Sequence, residues 1–219
     1  RRQSAEYAVT KILQFRPDGS SIQLNLRGRS ATATVNLPAL YNIYNAVGAI
    51  AALMEMDFNA EIAVKATEQF QCGFGRMEQF QLGGGARVML VKNPAGCNQV
   101  LEFLKTIREP YTLVLCLNDH AADGTDISWI WDADYELLPN LQTKPSEIYV
   151  SGNRSEDMHL RVKYAGFPED RIHEIKNYES LIQKLSATSD KIYIMPTYTA
   201  MLDLRKVLIQ HCGGAEFWE

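Results

Sequence analysis

The chain has 219 residues, enough for one large domain or two smaller ones around a buried core. Its formal net charge of −4 gives no basic footprint for nucleic acid, and no apolar run approaches the ~20 residues of a membrane-spanning helix. Four scattered cysteines, Cys72, Cys97, Cys116 and Cys212, form no CxxC pair, which argues against a zinc ribbon and fits reduced, buried thiols in a cytosolic protein.

"RRQSAEYAVTKIL" lacks the continuous apolar core of a signal peptide, and its start on Arg1 leaves room for a longer protein upstream. "YAVTKILQF", "SIQLNL" and "ATATVNL" alternate apolar and polar residues and predict three short strands, with "RPDGS" as a turn. After Pro38 the period becomes helical. Leu40, Ile43, Tyr44, Val47, Ile50, Ala51 and Met54 can share one face, and "AEIAVKATEQF" predicts a second helix. "GFGRMEQF" reads as a Gly-flanked loop, and "LGGGA" marks a hinge or tight turn, so a domain boundary is expected near residue 84.

Strand and helix then alternate. The strands are "ARVMLVK", "YTLVLCL", "SEIYVSG", "RIHEI" and "KIYIMP"; the helices are "GCNQVLEFLKTI", "SEDMHLRVKYAG", "YESLIQKL" and "TAMLDLRKVLIQHCGG". Ser155 is the expected N-cap of the second of these helices. This rhythm predicts an α/β fold with a mainly parallel sheet covered on both faces, whose ligands gather beyond the C-terminal strand ends. The segment "LNDHAADGTDISWIWDAD" lies at such an end and holds Asp119, Asp123, Asp126, Asp132 and Asp134.

An EF-hand needs oxygen ligands at alternating positions and a Glu at the twelfth; "DHAADGTDISWI" has Ala where ligands should fall and ends in Ile. The aspartates are open to two readings. Asp119 and Asp123 suit Asx-turns and Asp126 a turn cap, yet a rigid Asp beside a histidine can also fix its tautomer. His120, His159, His173 and His211 show no metal spacing, and no nucleophile–base pair is visible. Asn42 and Asn45, one turn apart, suit capping or backbone bonding, but their amides also match an adenine edge. Arg76 suits a phosphate clamp, although no GxxxxGK[ST] loop accompanies it.

Taken in order, these segments resemble the MurT family, the ligase subunits of bacterial lipid II isoglutaminyl synthases, over nearly the whole chain. "YNIYNAVGAIAAL" resembles the asparagine-bearing helix of Mur ligase central domains, "GRMEQF" their phosphate-contacting arginine segment, and "VKNPAG" the opening of their third domain. "LNDHAADGTDISWIWDADYE" resembles the signature of the MurT C-terminal domain, supported by "SGNRSEDMHLRVKYAG" and "PTYTAML". The resemblance implies that residues 1–84 end a Mur ligase central α/β, ATP-binding domain and residues 85–219 form a Rossmann-like, mainly parallel C-terminal domain. It implies a subunit of a glutamine-dependent amidotransferase, working in the cytoplasm at the inner membrane face. ATP would activate the D-glutamate α-carboxylate of lipid II as an acyl phosphate, and ammonia from a GatD-type glutaminase would convert it to D-isoglutamine.

On the same resemblance Asp126 completes the partner's Cys–His pair, while Asn42, Asn45 and Arg76 help to hold ATP with Mg²⁺. The family's phosphate loop and zinc ribbon are absent from this sequence. Lys92 stands where many Mur ligases have His, and Met89 where they have a ribose-binding Asp, which puts the usual ribose contacts in doubt. This chain alone is expected to be inactive. Two other readings remain: an amino-acid-adding ligase akin to folylpolyglutamate synthase, and a non-catalytic docking module for a glutaminase.

Overall fold

In the computed structural model, which describes residues 5–16, 19–37, 40–70 and 76–213, three strands open the chain. They are β1 (Tyr7–Arg16), β2 (Gly19–Leu26) and β3 (Arg29–Val35), paired antiparallel in that order. Two helices follow, α1 (Leu40–Glu55) and α2 (Ala60–Gln69). Period-2 patterning turns Ile22, Leu24 and Leu26 of β2 and Ala33 and Val35 of β3 to one face, where they pack with Ile43, Ala46, Ile50, Ala63 and Val64. The buried stripe of α1 is therefore Ile43–Ala46–Ile50, and the stripe expected from sequence is corrected at two positions. Leu40 and Tyr44 are exposed, since 100° per residue carries them off that face. Most of the expected "RPDGS" turn falls on Pro17 and Asp18, outside the described residues.

The rest of the chain forms a separate sheet. Its strands are β4 (Arg76–Phe80), β5 (Ala86–Met89), β6 (Tyr111–Cys116), β7 (Pro145–Ser151), β8 (Ile172–Glu174) and β9 (Lys191–Pro196). They lie in the order β4-β5-β9-β6-β7-β8, with β4 antiparallel and every other pairing parallel. Four helices accompany them: α3 (Pro94–Leu104), α4 (Ser155–Tyr164), α5 (Tyr178–Ser186) and α6 (Tyr198–Cys212). All six residues of β6 are buried, as expected for a central parallel strand covered on both faces. The α/β, mainly parallel architecture expected from the strand–helix rhythm is the one observed.

Pairing also moves the boundary. The two compact units are Arg1–Cys72 and Gly73–Glu219, so the break expected near residue 84 lies twelve residues earlier (84 minus 72). The reason is β4, which the sequence hid in a supposed loop: its backbone hydrogen-bonds β5 and belongs to the second sheet. "LGGGA" is the turn of that hairpin rather than a hinge between units. Gly83 and Gly85 take φ of 54° and 103°, and a Cβ on Gly83 would meet the Leu185 and Thr188 carbonyls at 2.8 Å.

The expected cap at Ser155 is also corrected. Arg154 occupies the N-cap of α4 without a side-chain cap bond, and buried Ser155 donates its hydroxyl to Glu174 Oε1 at 2.8 Å. Ahead of it, Gly152 has φ of 93°, and an added Cβ would press on the Leu117 carbonyl and Asn118 Oδ1. Gly152→Ala is expected to destabilise the chain by about 2–4 kcal/mol, half from backbone strain and half from overlap. Urea denaturation checks this, with a lowered midpoint at unchanged slope as the expected result.

Candidate functional site

The segment after β6 runs past the C-terminal ends of β7 and β9, and buried Asn118 ties the three together. Its backbone N–H donates to Thr197 Oγ1 (2.9 Å), its amide to Thr199 Oγ1 (2.9 Å), and its Oδ1 accepts from the Asn153 N–H (2.9 Å). These bonds satisfy a polar side chain that is only 4% exposed, which makes its burial tolerable.

Two aspartates then pin the loop. Asp119 accepts from the Asn153 amide (2.5 Å) and pairs with Arg154 Nε (3.0 Å). Asp123 reaches the first turn of α6, accepting from the Thr199 N–H (2.7 Å) and hydroxyl (2.5 Å). The N-cap residue Thr197 makes no side-chain cap bond of its own, so a carboxylate from a distant loop caps this helix. The expectation of local Asx-turns at Asp119 and Asp123 is thus replaced by long-range ties, because the parallel strand ends bring their partners alongside.

Asp126 differs from both. It is exposed, and its Oδ1 accepts the Ser128 N–H at 2.8 Å, an Asx-turn that leads into the 3₁₀ turn Ser128–Trp131, whose N-cap position is Ile127. Hydrogen bonding from the Ser128 backbone holds its carboxyl below the usual range. With a depressed folded value, the bond's contribution is present above the ordinary carboxylate range and fades as pH falls through the lowered one. At neutral pH Asp126 is a carboxylate.

The turn behind it is braced by a buried cation. Arg161 of α4, 2% exposed, donates to the carbonyls of Ile130 (2.9 Å) and Ala133 (2.7 Å) and to Glu136 Oε2 (2.9 Å). Its guanidinium lies over the rings of Trp131 and Tyr135, 5.3 and 5.2 Å from their centroids. Glu136 is lowered by that hydrogen bond. Ile130 is wholly buried, whereas Trp131 is half exposed and stacks edge-on with Tyr164.

Of the residues singled out by sequence, Asn42 is buried in α1 and Asn45 exposed, with the Asn45 amide 3.5 Å from Asn42 Oδ1. Arg76 stands at the start of β4, opposite Met89, rather than in a loop, and its side chain lies outside the described residues. Lys92 is exposed just before Asn93, whose side chain caps α3 at the Gly96 N–H (2.8 Å). Among the described residues no group of three His, Cys, Asp or Glu side chains is placed to hold a metal. Cys97 and Cys116 are buried, their thiols pushed up to about 12 by loss of solvent, so neither is an activated nucleophile. Among the described residues no helix is long and apolar enough to cross a membrane.

Sequence reasoning missed Asn118, Asn153, Thr199 and Arg161. The signal was available for three of them, since "LN", "SGN" and "PTYT" all follow predicted strands of one parallel sheet.

The fold matches solved Mur-type ligases. MurF from Acinetobacter baumannii superposes with a TM-score of 0.70 at 18% identity, covering 93% of this chain and 46% of that one. Folylpolyglutamate synthase from Mycobacterium tuberculosis, solved with ADP and AMPPCP, gives 0.70 at 18% identity, covering 94% and 48%. The second unit, with its mostly parallel sheet, thus has the fold of a Mur ligase C-terminal domain.

Residues 90–201, which include the acidic loop and its anchors, match the family model for the MurT ligase C-terminal domain. The chain belongs to that family. The lipid II isoglutaminyl synthase (glutamine-hydrolyzing) subunit MurT of Streptococcus pneumoniae is 31% identical over 210 residues, 95% of this chain and 46% of the relative. The corresponding subunit from Staphylococcus aureus is 33% identical over 177 residues, 80% and 40%. The chain spans less than half the length of these curated relatives.

Proposed function

We propose that this chain is the C-terminal part of the ligase subunit of a glutamine-dependent amidotransferase, and that Asp126 completes the catalytic triad of a partner GatD-type glutaminase. The observation that carries this reading is the state of Asp126. It is an exposed, ionised carboxylate on a doubly anchored loop, in a chain whose described cysteines are not activated. Facing the far nitrogen of the partner's histidine, Asp126 would accept its N–H, hold the tautomer that takes the thiol proton, and stabilise the resulting imidazolium. The thiolate would then release ammonia from glutamine.

On this reading the ammonia amidates the D-glutamate α-carboxylate of lipid II to D-isoglutamine, at the cytoplasmic face of the membrane. ATP with Mg²⁺ would supply the phosphoryl group that activates the carboxylate. We assign residues 1–72 to the end of the ATP-binding central domain. There the amides of Asn42 and Asn45 share one side of α1 and carry the donor–acceptor chemistry an adenine edge needs. Arg76, which belongs to the second unit, would contact phosphate. Support comes from family membership and from the glutamine-hydrolyzing subunits named among the relatives.

The test is Asp126→Asn in the full-length subunit, assembled with its glutaminase. Glutamine hydrolysis should fall steeply while ATP binding and assembly persist. Unchanged hydrolysis would remove the triad role. Loss of assembly in proportion to loss of activity would favour a docking module, and an amino-acid-adding ligase would not co-purify with a glutaminase.

A further inference from the structure

Between β6 and the turn at Ser128 the loop has no regular structure, so what it is tied to sets its course. The tie nearest Asp126 is the bond pair from Thr199 to Asp123, three residues earlier. We infer that Thr199 and Asp123 form a positioning pair that sets where Asp126 is presented to the partner glutaminase. This rests on the triad reading above and adds the residues through which the fold controls it.

The geometry is specific to a hydroxyl. Thr199 Oγ1 accepts from the buried Asn118 amide and donates to Asp123 Oδ2, while the Thr199 N–H holds the other carboxylate oxygen. Both oxygens of Asp123 are thereby fixed to the first turn of a 15-residue helix whose core side chains Ala200, Met201 and Leu204 are buried. Three residues of chain reach at most about 10 Å, so Asp126 stays within that distance of wherever Asp123 is held, while the Ser128 turn fixes its other side. The Asp119 tie is seven residues away (126 minus 119) and cannot substitute. A displacement near 1 Å at a catalytic group is enough to slow turnover by up to about a hundredfold.

The experiment uses the full-length subunit in complex with its glutaminase. Thr199→Val keeps the shape and the N–H bond but removes the hydroxyl; Thr199→Ser keeps the hydroxyl. We expect T199V to lower kcat for glutamine hydrolysis roughly ten- to a hundredfold, with KM for glutamine and complex affinity each within about twofold. T199S should recover activity to within about threefold of the parent. The proposal is overturned if T199V keeps its kcat, or if T199S is no better than T199V. It is also overturned if activity falls only as far as assembly does. If T199V does not assemble, Asp123→Asn, which removes charge but little shape, carries the same expected loss. Asp126→Asn run in parallel separates the two readings. Full activity in D126N sinks the triad role itself, whereas an inactive D126N beside an active T199V sinks only the positioning pair.

Discussion

Asp126→Asn is expected, on the proposed triad role, to slow glutamine hydrolysis by the complex with a glutaminase ~10⁴-fold, the loss that follows when the aspartate of a nucleophile–histidine–aspartate triad becomes asparagine. Asparagine keeps the size of the side chain and an oxygen to accept the Ser128 N–H, so the 3₁₀ turn should survive. On the proposed role, what would disappear is the charge that stabilises the partner's imidazolium, and the amide can favour the wrong tautomer. The effect should fall on kcat, with KM for glutamine little changed, because the interaction matters most in the transition state. Because Asp126 is held below the ordinary carboxylate range, its protonation lies at the acid side of that range. The acid limb of the pH–rate profile is therefore expected to report the histidine. A limb in the ordinary carboxylate range would contradict this.

Arg161→Leu is expected to destabilise the second unit by about 3 kcal/mol and to lower the melting temperature by roughly 6–12 °C. The buried Ile130 carbonyl loses its charge-assisted donor, and the Ala133 carbonyl is left with the Tyr135 N–H alone. Glu136 suffers less, since its side chain is 61% exposed and water can take over. The aliphatic stem and the two ring contacts are lost as well. Some of this is offset, because a buried cation no longer has to be desolvated. Arg161→Lys should recover little: a single ammonium cannot fork to two carbonyls and a carboxylate at once. Thermal denaturation of the three proteins decides the matter. Equal melting temperatures would mean that Arg161 does not brace the turn.

The α/β class and most element spans follow from local chemistry that the chain carries openly. Alternation marks β2, and the almost wholly apolar "YTLVLC" marks a covered parallel strand. Those signals depend only on neighbours along the chain, so they survive without coordinates. The family resemblance was legible too, in long motifs in order, and it singled out Asp126 among five carboxylates.

β4 was not legible, because five residues beside glycines look like loop until a partner strand pairs with them. Nor was the division of labour among the aspartates. Sequence offered Asp119 and Asp123 as local turn formers, yet their partners are Asn153, Arg154 and Thr199, and the Asp123–Thr199 bond spans 76 positions. Arg161 looked like one more charge on a polar helix, and its burial shows only when α4 packs on the turn. The sequence by itself determined most of the elements, the class and the candidate carboxylate, since each is encoded in short-range pattern or motif. Tertiary structure alone decided which carboxylates anchor the loop and which are left exposed, because a parallel sheet sets distant loops side by side at one end.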